Sequence, residues 1–188
     1  MKSYPKSWLR WFFLLLIVGI ITFTNANPVW ADMNDDRPDG NIFVVYAGNG
    51  SLVPSKLTLA ASLARQTPVI LVYYLDDNSD SKQFAIVVSR LQEFYGRAAS
   101  IIPVSVDSIV SKPTYNRDEV GYYYKGVIPQ TVVLNQKGKI VYEGKGQVAY
   151  EAIDDVLRNA FDLLPRAESK GLKRRTFNEF NTELVDSF

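Results

Sequence analysis

Ser51 closes a Gly48-Asn49-Gly50-Ser51 turn, and a hydroxyl there could act as a nucleophile if a base stood beside it. The chain supplies no such base: it has no histidine, and Ser51 reads better as a turn or N-cap residue. It also has no cysteine, which removes thiolate chemistry, disulfides, Cys-ligated zinc and iron–sulfur clusters together. The same glycines suggest a phosphate cradle only weakly. No Gly-Lys-Ser/Thr follows them, and Lys56 falls a turn inside the predicted helix. Asp76, Asp77 and Asp80 lack the spacing and closing Glu of a calcium loop, so they read as a helix-capping loop. Tyr122-Tyr123-Tyr124, with Tyr115 upstream, remains. Consecutive helical residues point in different directions, so some of these rings must be exposed or interfacial, and tyrosine is enriched at binding hot spots. An interface and ordinary packing with surface exposure are both open readings. No cofactor and no metal are expected.

These residues need a scaffold. Asn41–Ala47 is an apolar, β-branched run that predicts a buried central strand, and Leu52–Arg65 predicts a helix. Pro68–Leu75 predicts a second buried strand, and Lys82–Tyr95 a helix ended by Gly96. Ile101–Val106 predicts a third strand, its Pro103 pointing to an edge or end position. A short helix is expected near Asp118–Tyr124. Gly126–Gly146 predicts a hairpin: Ile128-Pro129, the run Thr131–Leu134, a Lys137-Gly138 turn and the return Lys139–Glu143. Ala149–Leu164 closes the domain with an apolar stripe at Ile153, Val156, Leu157, Ala160, Phe161 and Leu164. The order predicts one α/β domain over 41–164, a mixed sheet of parallel βαβ units plus an antiparallel hairpin with helices on both faces.

The N-terminus has a different character. Lys2, Lys6 and Arg10 precede the uncharged run Trp11–Phe23, and Val29-Trp30-Ala31 offers a signal-peptidase site after Ala31. An uncleaved membrane anchor is the alternative. Either way the positive-inside rule sends Asp32 onward across the membrane. Residues 32–40 are then a polar spacer. No acid precedes Asp32, so the exported part is slightly acidic and no nucleic-acid partner is expected. The tail 165–188 is basic and aromatic, fitting a docking segment for a membrane protein, an arm packing on its own domain, or a frayed terminus.

Val127-Ile128-Pro129, the hairpin and Gly144/Gly146 resemble the second half of a thioredoxin fold, in which the proline is cis and faces the active site. Laid on that fold from Asn41, Tyr46-Ala47 precedes the reacting motif, and Gly50-Ser51-Leu52-Val53 takes the Cys-Gly-Pro-Cys positions. Val44 then takes the place of the buried acid that assists thiol chemistry. The resemblance therefore implies a thioredoxin frame without redox activity. With the export signal, the pattern resembles a cyanobacterial family of thylakoid-membrane photosystem I accumulation factors. That implies an assembly factor in the thylakoid lumen or periplasm, tethered to the thylakoid membrane if the N-terminal segment is retained. Its partners would be photosystem I subunits or another assembly factor. An extended protein client would lie along Ile128-Pro129 and Gly50–Val53, gripped by Tyr122, Tyr123 and Tyr124. The rival readings are a small-molecule binder and a degenerate peroxiredoxin- or transferase-like protein.

Overall fold

The computed structural model describes residues 6–24 and 31–169. The chain divides into two compact units, Met1–Asp32 and Met33–Phe188. The first holds helix α1 (Lys6–Thr24), whose side chains from Trp8 to Val18 are exposed. It rises about 28 Å. Among the described residues no helix is long and apolar enough to cross a membrane. The expected cleavage site after Ala31 falls against residues outside the described set, as does the tail from 170 onward.

The second unit is built on β1 (Val69–Tyr74), an unbroken β-branched and aromatic run in which all six residues are buried. It pairs in parallel with β2 (Ser100–Ser105) and antiparallel with β3 (Gln130–Leu134), which pairs antiparallel with β4 (Ile140–Lys145). The sheet order is β2-β1-β3-β4, so Pro103 sits on an edge strand as its missing N–H requires. Alternate residues of β1 enter different cores. Ile70, Val72 and Tyr74 pack under α4 (Ser79–Tyr95) and α5 (Tyr150–Ala160), while Val69, Leu71 and Tyr73 pack with Leu59 and Tyr123 on the other face. Ile153 and Leu157 anchor α5 with no exposed surface. Leu164, expected on that stripe, is exposed beyond the helix end.

Two expectations fail upstream of β1. Asn41–Ala47 is not a strand. Asn41 caps a single helical turn, α2 (Ile42–Val45), by accepting from the Phe43 and Val44 N–H groups. Ile42 and Phe43 are buried, but Val44 faces solvent at 49% exposure, so it does not occupy a buried strand position. The β-propensity of this run is overridden by the cap and by packing on the core. The helix predicted over Leu52–Arg65 shrinks to α3 (Leu59–Ala64), capped by Thr58. Residues 50–57 form turns around Pro54, which a helix interior does not accommodate. The sheet therefore has four strands and one parallel pair. The short helix expected before the hairpin is a single 3-10 turn, Val120–Tyr122.

Candidate functional site

The antiparallel register sets Tyr73 opposite Gln130, so Pro129 stands beside the C-terminal end of β1. From that end the chain passes through Leu75–Asn78 into α4. The strand–loop–helix unit facing the proline is therefore β1–α4, and the first turn of α4, Asn78-Ser79-Asp80-Ser81, stands where a thioredoxin carries its reacting motif. This corrects the placement on Gly50–Val53. Leu52 is a core residue, and Ser51 lines a cleft with Thr67 and Ser100 at the N-terminal ends of β1 and β2. Six-residue strands span about 20 Å, so Ser51 and Pro129 lie at opposite ends of the sheet.

The first turn of α4 has its polar groups bonded within the protein, although Asp80 is exposed. Asn78 accepts from the Ser81 N–H at 2.8 Å and from the Ser81 hydroxyl at 2.9 Å. The Ser81 hydroxyl in turn accepts weakly from Leu75 N–H at 3.3 Å, and with no base nearby it is a structural oxygen. Residues 34–39 cross this turn as a strap. Asp36 accepts from the Ser79 N–H at 2.8 Å, a carboxylate on a helix N-terminus. Lys82 is wholly buried, and its Nζ donates to Asp35 at 3.0 Å and Asp39 at 2.5 Å. The Tyr46 hydroxyl donates to the same Asp39 carboxylate at 2.5 Å, and its ring lies beneath the ammonium. On the other flank Gln147 donates to Asp80 at 2.8 Å. Burial by itself would lower the Lys82 pKa, but the two carboxylates more than reverse it and hold it above the ordinary value. Hydrogen bonds from Lys82 and Arg37 hold Asp35 down at about 2, and Asp39 is lowered by Lys82 and Tyr46. Asp36 is lowered by the Ser79 N–H and hydroxyl.

The proline side is more open. The Ile128-Pro129 bond is cis, as the resemblance implies, and Val53-Pro54 is cis as well. Pro129 is buried and its carbonyl accepts from Gly146 N–H at 2.7 Å, while Ile128 is half-buried. Gly126 adopts φ +74° in the turn leading in, a conformation costly for side-chain-bearing residues. Gln130 is fully buried and clamps the preceding loop, accepting from Lys125 N–H at 2.9 Å and donating to the Tyr123 carbonyl at 2.8 Å. The three tyrosines divide. Tyr123 is buried and donates to the Arg117 carbonyl, and Tyr124 packs against Tyr73. Only Tyr122, at 40% exposure, presents its ring outward. The structure thus keeps Ile128 and Pro129 at this end, moves Gly50–Val53 away, and turns Tyr122 towards Gly138–Ile140 at the hairpin turn, the other end of β3.

Lys82, Asp35, Asp36 and Gln130 are absent from the sequence-derived site. A lysine in the first turn of a predicted helix gives no sign that it will be buried. A second closed cluster was equally silent: Asp154, a buried residue of α5, accepts from Tyr95, Tyr150 and Arg158 at 2.5, 3.0 and 2.8 Å. The loop does cap α4, but through Asn78: Asp76 instead accepts from the Ile42 N–H at 3.4 Å and Asp80 from Gln147, and no cluster of metal-ligating side chains occurs among the described residues.

The four-stranded mixed sheet, the β1–α4 unit and the cis-proline entry to β3 define a thioredoxin-like protein. The chain is 58% identical over 179 residues to the thylakoid membrane protein slr1796 of Synechocystis sp.. That match spans 93% of this chain and 89% of the relative, so the chain belongs to the family of that cyanobacterial thylakoid membrane protein. No family model matches it. Among solved structures, a thioredoxin mutant from Halobacterium salinarum is 21% identical, covering 55% of this chain and 84% of its own, with a TM-score of 0.43. A thiol:disulfide interchange protein from Chlorobium tepidum is 15% identical, covering 56% and 91%, with a TM-score of 0.44. At those scores the fold rests on the sheet order and the position of Pro129, not on the overlays.

Proposed function

We propose that this chain is a non-redox holding factor, exported by its N-terminal segment to the thylakoid lumen or periplasm, that supports accumulation of photosystem I by binding an extended client segment. The observation that carries the reading is the mismatch between the two halves of the site. The proline-side frame is intact, while the α4 side carries no thiol and has its polar groups satisfied internally. A frame kept without its nucleophile is suited to binding and not to turnover. The kinship with a thylakoid membrane protein supports the compartment. The client would start along Val127-Ile128, whose backbone makes no backbone hydrogen bond among the described residues, and run towards the hairpin turn, where Tyr122 would be its aromatic anchor. Photosystem I subunits or another assembly factor are the expected partners.

The test is capture from detergent-solubilised thylakoids with the full-length chain and its Tyr122→Ala/Ile128→Ser variant. Photosystem I subunits should be retained by the wild type and reduced at least fivefold by the variant. Equal recovery by both would remove the site, and normal photosystem I content in a strain lacking the gene would remove the function.

A further inference from the structure

The other end of α4 carries a feature that the client reading does not use. A cleft of about 250 Å³ opens at the N-terminal ends of β1 and β2, walled by the loop at Ser51–Leu57 and by the C-termini of α3 and α4. Lys56, Arg65 and Arg97 all line it, and no carboxylate does. We propose that this cleft is a binding site for a phosphate- or sulfate-bearing anion.

Three observations support the assignment. First, the cations are unengaged: among the described residues none of the three makes an ion pair or a side-chain hydrogen bond, whereas Lys82, Lys112, Arg158 and Arg166 are all paired. Second, neutral donors stand among them. The Thr67 and Ser100 hydroxyls and the Gln92 amide share the wall, matching a ligand with several acceptor oxygens. Third, helix dipoles account for only part of the charge. Arg65 caps α3 and Arg97 follows the α4 cap Gly96, and cations at helix C-termini offset roughly half a negative charge each. That leaves a surplus of about two positive charges. Lys56 belongs to no helix, so its place in the wall has no such explanation. Two guanidinium forks and an ammonium suit a tetrahedral oxyanion better than a lone carboxylate.

The anion could be a free ester or the headgroup of an anionic lipid, and the experiment separates them. The full-length chain in neutral detergent is titrated calorimetrically with inorganic phosphate, glycerol 3-phosphate, dihexanoyl phosphatidylglycerol and dihexanoyl phosphatidylcholine. Saturable binding of phosphate or glycerol phosphate identifies a free anion. Binding of phosphatidylglycerol without phosphatidylcholine or the soluble esters identifies a headgroup. In either case Arg65→Gln/Arg97→Gln should weaken binding at least tenfold, and Lys56→Gln alone should weaken it severalfold. Arg117→Gln/Lys139→Gln, the same charge change at the hairpin side, should leave it within twofold. Equal losses from both double variants would mean non-specific attraction and overturn the proposal, as would no saturable binding of any of the three anions.

Discussion

The two ends of α4 treat charge in opposite ways. At its N-terminus one buried lysine, two aspartates and a tyrosine are consumed by one another, while Asp36 and Asn78 take up the Ser79 and Ser81 N–H groups. At its C-terminus Arg97 and its neighbours Arg65 and Lys56 face a cleft that no carboxylate lines among the described residues. The difference separates stability from recognition. Charges that are desolvated and paired hold the fold, and their loss is expensive. Solvated charges contribute little to folding and are free for a ligand. Thioredoxin chemistry would need the first end open, and here it is the end that is shut.

The sharpest way to break this contrast is Lys82→Met. Removing the ammonium leaves the buried Asp39 with the Tyr46 hydroxyl and Asp35 with Arg37, with an expected loss of about 3 kcal/mol in urea unfolding. A loss below about 1 kcal/mol would mean that the strap is only laid on the surface. Next comes Tyr95→Phe, because the C-terminal half of α4 has its own closed group on the inward face. Losing the hydroxyl donated to Asp154 should cost about 2 kcal/mol. Asn78→Ala removes the side-chain cap of α4 and should cost about 1 kcal/mol.

Acid sharpens the comparison further. Asp35, Asp36 and Asp39 have lower pKa values folded than unfolded. Their contribution is present above the ordinary carboxylate range and is lost as pH falls from about 4 towards 2. Asp76 is raised by burial, so it acts in the opposite sense and blunts the upper part of that fall. Urea midpoints between pH 7 and pH 2 should drop steeply for the wild type and less steeply for Lys82→Met. The smallest effect belongs to the open end: Arg65→Gln and Arg97→Gln should each change stability by less than about 0.5 kcal/mol. A larger loss would show that these cations serve the fold.

How much of this was legible depended on periodicity. β1, α4 and the hairpin carry long, consistent patterns, and their expected bounds differ from the observed ones by at most three residues. Asn41–Ala47 carries an equally good strand pattern, yet four residues cannot become a strand when Asn41 caps them into a helical turn. That single misreading displaced the site, because it made Gly50–Val53 the loop after the first strand. Pro129 was legible because proline before a β-branched run has few uses. Lys82 was not, since the acids that bury it lie in a segment whose polarity reads as a spacer. The tyrosine run predicted divided exposure, and only Tyr122 ended outside.

The strap also sets an order of events. Asp35 and Asp39 precede Lys82 by 47 and 43 residues, so a chain made from its N-terminus presents the carboxylates long before their partner exists. The pairs close a large loop whose entropy must be met by contacts that α4 brings with it. Residues 34–39 should therefore stay sensitive to protease in nascent chains that stop before α4 and become resistant once it is complete. The first residues of the domain to emerge thus wait unfastened until its middle has been made.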